Sequence, residues 1–395
     1  KILEQHQLET RREIVKMSAG QRPAPVAASF GLSGKPRFLS RQYRIIHQEH
    51  PLIHIEEIFP VSLFSGETRV VIDAPSRLHL GLVDMNGSLG RIDGGIGLAL
   101  DEPRLVVSAR RSETFLVEGG DADARERVLA AARSVSGSLN LPGAAEFTIQ
   151  AQFPGHAGLG RGTQLALSAA CALCRLYGQE WTARDLARMT GRGGTSGIGT
   201  ASFGAGGFII DGGHSFGAHL DKTAFLPSSA SQGVRPPEVI LRRDFPEAWK
   251  IMLVIPDIPP GASGRAERDL FLRHCPVPLE EVRELCHLAM VSLLPGLAEE
   301  DLDLFGSALN RMQELGFKRV ENQLQPSRVA DLMEAMRDAG AAAAGLSSFG
   351  PTVYAIGEGR MQDVESAARE ILPTLGGGRM LLTRARNSGA EVTVA

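Results

Sequence analysis

The sequence has little of several features that mark particular classes of protein. Its 395 residues include only four cysteines, too few for a disulfide scaffold in a chain of this length, which favours a reducing cytoplasm. Lys and Arg (42) nearly balance Asp and Glu (45), and the net charge of −3 gives no reason to expect nucleic acid or an anionic membrane as a partner. No apolar run approaches the ~18 residues of a membrane-spanning helix. We therefore expect a cytoplasmic protein that acts on small molecules.

Glycine, by contrast, is abundant. The chain contains 45 glycines among its 395 residues, above the average of about 7%. Because a domain usually has ~100–200 residues, the length predicts two domains and a smaller third piece. The first residue is Lys1 rather than Met, so we expect a fragment of a longer product or a processed chain.

The pattern of apolar residues predicts a mixed α+β fold. Residues 1–17 are expected to be helical and residues 18–36 to form a loop rich in Gly and Pro. The stretches 38–46 and 52–64 alternate and are rich in β-branched residues, which predicts a hairpin that turns at His50-Pro51. From residue 68 onwards strands and helices are interspersed, and the polar, Pro-rich span 227–246 is expected to connect two lobes.

The most informative segment runs from Pro154 to Ala166, between a predicted strand and an apolar helix. Its glycines allow the backbone to approach an anion closely, and the start of the helix offers free N–H groups. Arg161 adds a charge suited to phosphate. The segment therefore predicts a phosphate-binding loop, although a glycine-rich turn that packs a helix onto a sheet would have the same composition.

Two further glycine-rich loops offer hydroxyl groups and backbone donors, at residues 190–200 and 345–352. Either loop alone is explained equally well as a structural turn, but three such loops in one chain favour the binding of phosphate or sugar oxygens. A fourth segment, residues 74–84, places Arg77, His79 and Gly81 on one face of a predicted strand. Burying Arg and His together is costly unless they face a partner or a ligand, and a structural histidine with satisfied hydrogen bonds is the alternative.

Together these segments resemble the GHMP kinase superfamily, which has a substrate-binding motif, a central Pro-x-x-x-Gly-Leu-Gly-Ser-Ser loop and a C-terminal glycine-rich loop. The resemblance covers roughly residue 68 to the C-terminus and implies a two-lobe α+β fold with a short N-terminal extension that contains a β-hairpin. Arg161-Gly162-Thr163 stands where the kinases have Ser-Ser, and residues 196–201 contain no carboxylate where many have a catalytic Asp. A chain with these departures would be a poor ATP phosphotransferase.

The details resemble more closely the β-ribofuranosylaminobenzene 5-phosphate synthase family, a branch of the superfamily without kinase activity. The resemblance is carried by residues 76–84, 94–97, 158–164, 191–200 and 206–208. It implies that phosphoribosyl pyrophosphate is joined to 4-aminobenzoate or 4-hydroxybenzoate with Mg²⁺, releasing carbon dioxide and pyrophosphate, in tetrahydromethanopterin biosynthesis. It also implies a homodimer.

This reaction assigns roles to particular residues. Arg161 is expected to stabilise the departing pyrophosphate, Arg77 or Arg192 to hold the benzoate, and His79 to orient the para substituent or to move a proton. Asp257 and Glu267 are candidate Mg²⁺ ligands, although a solvated helix start is the slightly favoured explanation of the segment around Glu267. The other expected substrate-binding residues are Asp84, Gly94, Gly95, Gly158, Gly160, Gly162, Thr163, Gln164, Thr195, Ser196, Ser347, Ser348 and Gly350.

The first sixty residues resemble the C-terminal part of the chorismate lyase family, which makes 4-hydroxybenzoate. The resemblance rests on residues 40–46, 51–53 and 57–60, and an unrelated hairpin extension is the alternative. The expected organisation is a partial lyase-like segment over 1–65, an N-terminal GHMP-like domain over 66–230 and a C-terminal one over 231–395. A fusion of this kind favours 4-hydroxybenzoate as the acceptor.

Two other functions remain open from the sequence. The first is an ATP-dependent GHMP small-molecule kinase, which the missing Asp disfavours. The second is a non-catalytic protein that keeps the scaffold and binds phosphoribosyl pyrophosphate without forming a product.

Overall fold

The N-terminal part of the chain is a three-stranded antiparallel sheet. The computed structural model describes residues 11–21, 37–47, 50–60, 68–231, 233–262, 264–359 and 361–395. Strands β1 (Arg11–Gln21), β2 (Arg37–His47) and β3 (His50–Pro60) lie in that order in the sheet.

The predicted hairpin is confirmed, since β2 pairs with β3 in antiparallel register. The expected helix over residues 1–17 is wrong from Arg11 onwards, and residues 18–21 are strand rather than loop. The backbone of β1 pairs with β2 along its length, so pairing outweighs the local helical pattern. Residues 1–10 and 22–36 of these two predictions lie outside the described residues.

The first lobe is built on two long antiparallel strands, β4 (Arg69–Asp84) and β5 (Arg91–Ser112). They belong to an eight-stranded sheet with the order β10-β8-β5-β4-β15, in which β7 pairs with β5 and β6 with β7, and β9 pairs with β5. The shorter strands are β6 (Leu116–Gly119), β7 (Ala144–Ala151), β8 (Phe208–Asp211), β9 (His214–Ser215), β10 (Val239–Arg243) and β15 (Glu391–Val394).

Four helices accompany this sheet, α1 (Ala122–Leu139), α2 (Arg161–Leu176), α3 (Ala183–Met189) and α4 (Ile198–Ala205). Helix α2 is buried over most of its length, as its nearly unbroken apolar sequence predicts. The side chain of Asp121 caps α1 by accepting a hydrogen bond from the Ala124 N–H, at 2.8 Å. Thr182 caps α3 in the same way.

The second lobe contains a four-stranded antiparallel sheet in the order β12-β13-β11-β14. Its strands are β11 (Trp249–Pro256), β12 (Ala343–Leu346), β13 (Val353–Glu358) and β14 (Gly378–Arg384). The helices of this part of the chain are α5 (Gly264–His274), α6 (Leu279–Leu288), α7 (Leu294–Glu299), α8 (Leu302–Met312), α9 (Gly316–Gln323), α10 (Ser327–Asp338) and α11 (Gln362–Ile371), with a π-helical turn at Ala289–Leu293. The α+β class and the two lobes are confirmed.

The two lobes share one hydrophobic core. Phe208 of the first sheet and Trp249 of the second both pack against Phe305 of α8, with ring centroids 6.0 Å and 5.2 Å away. The span 227–246 does more than connect the lobes, because its residues Val239–Arg243 form β10 of the first sheet. The last strand, β15, also returns to the first sheet, so the lobes are not divided at one point in the sequence.

A close backbone contact joins the first glycine-rich loop to the C-terminal one. Gly158 has φ 79°, and its carbonyl oxygen accepts a hydrogen bond from the Ser347 hydroxyl at 2.8 Å. A Cβ atom on Gly158 would lie 2.2 Å from the Ser347 carbonyl oxygen, closer than any real contact. Only glycine fits at this point, where the two loops meet.

We expect Gly158→Ala to destabilise the protein more than Gly191→Ala does. Both residues have positive φ, but a Cβ on Gly191 would meet nothing within 4 Å. The strain of positive φ costs about 1–2 kcal/mol in either variant, and overpacking against Ser347 adds about 1–3 kcal/mol in Gly158→Ala. Chemical denaturation measures the free energy of unfolding of both variants. Equal losses would contradict the steric role of the contact.

Candidate functional site

A cavity of about 490 Å³ lies where the glycine-rich loops converge. Its walls come from residues 156–163, from the segment 192–199 and from residues 348–350. Arg77 and His79 of β4 and Glu267 and Phe271 of α5 also line it. The structure therefore brings together the three glycine-rich loops and the segment of Arg77 and His79. These four segments are far apart in the sequence, and each was singled out there as a candidate binding segment.

The start of α2 forms one wall of the cavity. Gly160 precedes this helix with φ 83°, and a Cβ there would lie 3.1 Å from Cγ of Arg77. A Cβ on Gly162 would lie 3.1 Å from Nη2 of Arg192. The first N–H groups of a helix lack partners within the helix and carry the positive end of its dipole. The two glycines thus allow two guanidinium groups to approach an anion-binding helix terminus.

Arg161 lines the cavity, but its charge is already paired. Its guanidinium lies 2.5 Å from Asp121 Oδ2 and 2.8 Å from Asp123 Oδ2. The hydrogen bond from Arg161 lowers the pKa of Asp121. The sequence predicted that this arginine faces the ligand, and the structure instead directs its guanidinium to two carboxylates of the α1 N-terminus. The sequence carries no local signal for this pairing, because Asp121 and Asp123 precede Arg161 by 40 and 38 residues.

Arg77 and Arg192 carry the unpaired positive charge of the site. Within the described part of the chain, neither has a carboxylate within 4 Å of its guanidinium. Arg77 donates to the Gly158 carbonyl, and Arg192 donates to the Thr163 hydroxyl at 3.2 Å. Burial lowers the pKa of both guanidinium groups to about 10, against the opposing effects of Glu321 on Arg77 and of Glu267 on Arg192, so the protein compensates their charges only in part. Such an arrangement favours a bound anion.

His79 lies beside the two arginines and contacts a hydroxyl group. Its Nε2 is 3.0 Å from Ser196 Oγ, and its Nδ1 is buried without a partner among the described residues. Burial, together with the positive charges of Arg77 and Lys318, lowers the pKa of His79 well below its usual value. The imidazole is therefore neutral near pH 7 and can accept a proton or a hydrogen bond from a ligand.

Part of the cavity wall is apolar. Leu82, Phe271 and Phe349 line it. Phe271 and Phe349 both pack against the buried Phe317, with ring centroids 4.5 Å and 5.9 Å from it. One cavity thus contains a cationic wall next to an aromatic wall, which suits a ligand pair with a polyanionic and an aromatic member.

Of the two candidate Mg²⁺ ligands, only Glu267 lines the cavity. Burial raises its pKa to about 7. Asp257 lies elsewhere, with its backbone N–H donating to the Gly377 carbonyl at 3.0 Å. The described residues contain no group of three or more His, Cys, Asp and Glu side chains arranged to hold a metal ion. Mg²⁺ usually takes only one or two carboxylates alongside phosphate oxygens and water, so Glu267 alone is compatible with a phosphate-bound Mg²⁺.

Several predicted site residues lie behind the cavity wall and support it. Asp84 Oδ1 accepts hydrogen bonds from the N–H groups of Asn86 and Gly87, at 2.8 and 2.9 Å. Gln164 donates to the Gly199 carbonyl at 2.8 Å. Ser347 Oγ accepts from the His79 N–H at 3.0 Å. These contacts hold a turn and two cavity loops rather than a ligand.

Gly94 and Gly95 also lie behind the wall, in β5. Gly94 has φ 74°, and a Cβ on Gly95 would lie 2.7 Å from Ser196 Oγ, so glycine leaves room for Ser196. Thr163, Ser196, Ser348 and Gly350 line the cavity as predicted. Arg77 and His79 share a strand face that points to the cavity, but a bulge between His79 and Gly81 ends the alternation.

Sequence reasoning missed two buried charged residues of α9. Glu321 lines the cavity and pairs with Lys318, and its charge raises the pKa of Arg77 against the larger effect of burial. Lys318 Nζ also donates to the Leu346 carbonyl at 3.1 Å. The i, i+3 spacing of the two residues was the available signal, but nothing in the sequence showed that this pair is buried.

Comparison with known proteins first defines the class. The GHMP kinases N terminal domain model matches residues 126–207 and the GHMP kinases C terminal model matches residues 293–374. Homoserine kinase from Cytophaga hutchinsonii has a similar structure, with a TM-score of 0.59, 18% identity and coverage of 82% of this chain and 97% of that one. The fold is that of the GHMP kinases. A third model, "Chorismate pyruvate-lyase Rv2949c-like", matches residues 1–65 and confirms the resemblance of this segment.

Two curated relatives then define the family. Beta-ribofuranosylphenol 5'-phosphate synthase from Methanothermobacter thermautotrophicus is 44% identical over 328 residues, which is 81% of this chain and 98% of the relative. The protein of the same name from Archaeoglobus fulgidus is 45% identical over 321 residues, again 81% of this chain and 98% of the relative. The chain belongs to the beta-ribofuranosylphenol 5'-phosphate synthase family, as the sequence motifs predicted.

We expect Arg192→Met and Arg161→Met to have opposite effects on stability. Removing the unpaired cation Arg192 leaves stability unchanged or higher by up to about 2 kcal/mol. It weakens pyrophosphate binding at least about tenfold, because a charge-assisted hydrogen bond is lost. Removing Arg161 leaves Asp121 without its arginine partner and Asp123 with Arg127 alone, and it costs about 1–2 kcal/mol. Thermal denaturation and calorimetric titration with pyrophosphate measure the two effects. A stability loss in Arg192→Met with normal affinity would contradict this assignment.

We expect Glu267→Gln to stabilise the protein above pH 7 in the presence of a chelator. The pKa of Glu267 is about 7 in the folded protein and 4.5 in the unfolded chain. The folded state therefore binds more protons between these values, and its stability falls as the pH rises from 4.5 to 7. The variant does not lose stability in this way. Its free energy of unfolding therefore exceeds that of the wild type by roughly 2–3 kcal/mol at pH 8, and the difference vanishes below pH 4.5. The exposed Glu370→Gln is the control, and denaturation across pH measures both. Parallel pH profiles for the two variants would refute the prediction.

Proposed function

We propose that this protein is a decarboxylating phosphoribosyltransferase that joins phosphoribosyl pyrophosphate to 4-hydroxybenzoate. The products are a β-ribofuranosylphenol 5'-phosphate, carbon dioxide and pyrophosphate, and the step belongs to tetrahydromethanopterin biosynthesis. The observation that carries the proposal is that Arg77, Arg192, Phe271 and Phe349 line the same cavity. A polyanion and an arene can meet there. We further propose that the enzyme is cytoplasmic and a homodimer.

The cationic wall suits the leaving group. When pyrophosphate departs, negative charge develops on it and positive charge develops on the ribose. Arg192 and the first turn of α2 offer donors to the leaving phosphate oxygens, and their placement is fixed before the reaction. In this proposal Mg²⁺ neutralises part of the phosphate charge, and Glu267 is the carboxylate placed to hold it. Arg161 then acts by ordering the start of α2 and α1 rather than by touching the phosphate.

The aromatic wall suits the acceptor. The ring carbon that bears the carboxylate attacks the anomeric carbon of the ribose while the bond from that carbon to pyrophosphate breaks. The acceptor's hydroxyl proton passes to a base, which leaves a cyclohexadienone. Cleavage of the bond to the carboxylate then releases carbon dioxide, restores the aromatic ring and leaves a phenolate, which takes the proton back. The neutral His79, hydrogen-bonded to Ser196, can take up and return this proton, and Arg77 is placed to orient the carboxylate.

Two observations support 4-hydroxybenzoate over 4-aminobenzoate as the acceptor. The matched relatives are named for a ribofuranosylphenol, which is the product that the hydroxy acid would give. Residues 1–65 match a chorismate pyruvate-lyase model, and that class of reaction yields 4-hydroxybenzoate from chorismate. The chain thus joins a segment related to the supply of a hydroxybenzoate to a domain proposed to consume it.

The proposal predicts release of labelled carbon dioxide when the protein is mixed with Mg²⁺, phosphoribosyl pyrophosphate and carboxyl-labelled benzoates. With both acids at equal concentration, the 4-hydroxy acid should account for most of the product. The reason is that residues 1–65 match a chorismate pyruvate-lyase model and the relatives are named for a ribofuranosylphenol. Arg192→Met should lower the rate at least about tenfold, and Lys250→Met, in β11, is the matched control.

Three outcomes would contradict the proposal. Phosphorylation of a small alcohol by ATP would identify a kinase instead. Binding of phosphoribosyl pyrophosphate without any product would identify a non-catalytic protein. A clear preference for 4-aminobenzoate would refute the choice of acceptor.

A further inference from the structure

A cluster of buried charged side chains lies behind the cavity, outside the groups used above. Asp93 of β5, His214 of β9 and Lys222 are almost completely buried. Nζ of Lys222 lies 3.0 Å from Asp93 Oδ2, and Nδ1 of His214 lies 2.6 Å from the same oxygen. None of the three is among the residues that line the cavity in the described structure. Their burial therefore needs an explanation other than contact with a ligand.

The backbone is shaped to bring Asp93 and His214 together. Asp93 has φ 72°, a conformation that a residue with a side chain keeps only when its surroundings enforce it. Gly213, just before β9, has φ 61°, and a Cβ there would lie 2.1 Å from the Ile92 carbonyl oxygen. The close approach allows β9 to pair with the start of β5. Both sides of the Asp93–His214 contact are thus fixed by the main chain.

Both ring nitrogens of His214 have hydrogen-bond partners. Its Nε2 lies 2.9 Å from the Arg235 carbonyl oxygen, and its Nδ1 faces the Asp93 carboxylate. The ring is therefore held between a backbone carbonyl and Asp93, and the Asp93 carboxylate is shared by His214 and Lys222.

Lys222 connects this cluster to the cavity wall. Its Nζ also donates to the Thr195 hydroxyl at 3.2 Å and to the Leu226 carbonyl at 3.0 Å. The Thr195 hydroxyl in turn donates to the same Leu226 carbonyl at 2.6 Å. Thr195 lines the cavity, as do Pro227 and Ser228, which follow Leu226. The Lys222 ammonium group is therefore hydrogen-bonded to Asp93 and to two separate wall segments, those of Thr195 and Leu226.

We propose that Lys222 is a positioning residue that, held by Asp93 and His214, fixes the Thr195 segment and with it Arg192 and Ser196. The inference rests on the proposed function, because those two side chains are the ones assigned to pyrophosphate and to the contact with His79. When the Lys222 contacts are lost, the Thr195 segment keeps its own hydrogen bond to the Leu226 carbonyl but is no longer tied to Asp93. Arg192 and Ser196 then lose their fixed positions relative to the ligand.

Substitutions of Thr195 test the inference without placing an unpaired charge in the interior. Thr195→Val removes the oxygen that Lys222 contacts, and Thr195→Ser keeps it. We expect Thr195→Val to lower kcat and pyrophosphate affinity about tenfold with a thermal midpoint close to that of the wild type, and Thr195→Ser to retain both. Normal kcat and affinity in Thr195→Val would overturn the inference, as would an equal loss in Thr195→Ser.

A double-mutant cycle with Lys222→Met separates positioning from general stability. If Lys222 acts through Thr195, the double variant is no slower than the slower single variant, whereas multiplied losses would overturn the inference. Lys250→Met is the matched control and keeps wild-type kinetics. If Lys222→Met does not fold, the comparison of Thr195→Val with Thr195→Ser tests the inference instead. Pyrophosphate affinity is measured without turnover, so the inference is tested even if the proposed reaction fails.

Discussion

The site depends on the desolvation of two guanidinium groups that have no directly contacting carboxylate among the described residues. Arg77 and Arg192 lie against Gly160 and Gly162 at the start of α2, and burial is the largest cause that lowers their pKa to about 10, against the opposing charges of Glu321 and Glu267. Burying a cation with incomplete compensation costs stability, and an anionic ligand is the partner that would offset this cost. Around this constraint the fold arranges its other groups: the neutral His79, the aromatic wall and the paired Arg161.

The cavity is held by contacts that only small residues permit. The meeting of Gly158 with Ser347 joins two loops that belong to different lobes, and the Ser347 hydroxyl and the Ser348 N–H both bond to the backbone of His79. The ring contacts around Phe305 link the first sheet to the second. Positioning of the side chains that line the cavity is therefore distributed over both lobes, which explains why residues behind the wall matter to the site.

Much of the fold was predictable because its signals are local. The apolar run of α2 and the alternation of β2 and β3 are properties of short stretches, and the structure confirms them. The error over residues 11–17 has a non-local cause, since β1 is a strand by virtue of its pairing with β2. The same holds for Val239–Arg243, which read as a polar connection and become β10 by pairing with β8.

The sequence by itself determined the family, the chemistry of the glycine loops and the candidate residues Arg77, His79 and Arg192, because these are carried by residue type and spacing. Only the tertiary structure decided which charges are free. It paired Arg161 with Asp121 and Asp123, moved Asp257 away from Glu267, and gathered Asp93, His214 and Lys222 from separate segments. Electrostatic pairing depends on distances of a few ångströms between residues that are remote in the chain, and no local pattern encodes them.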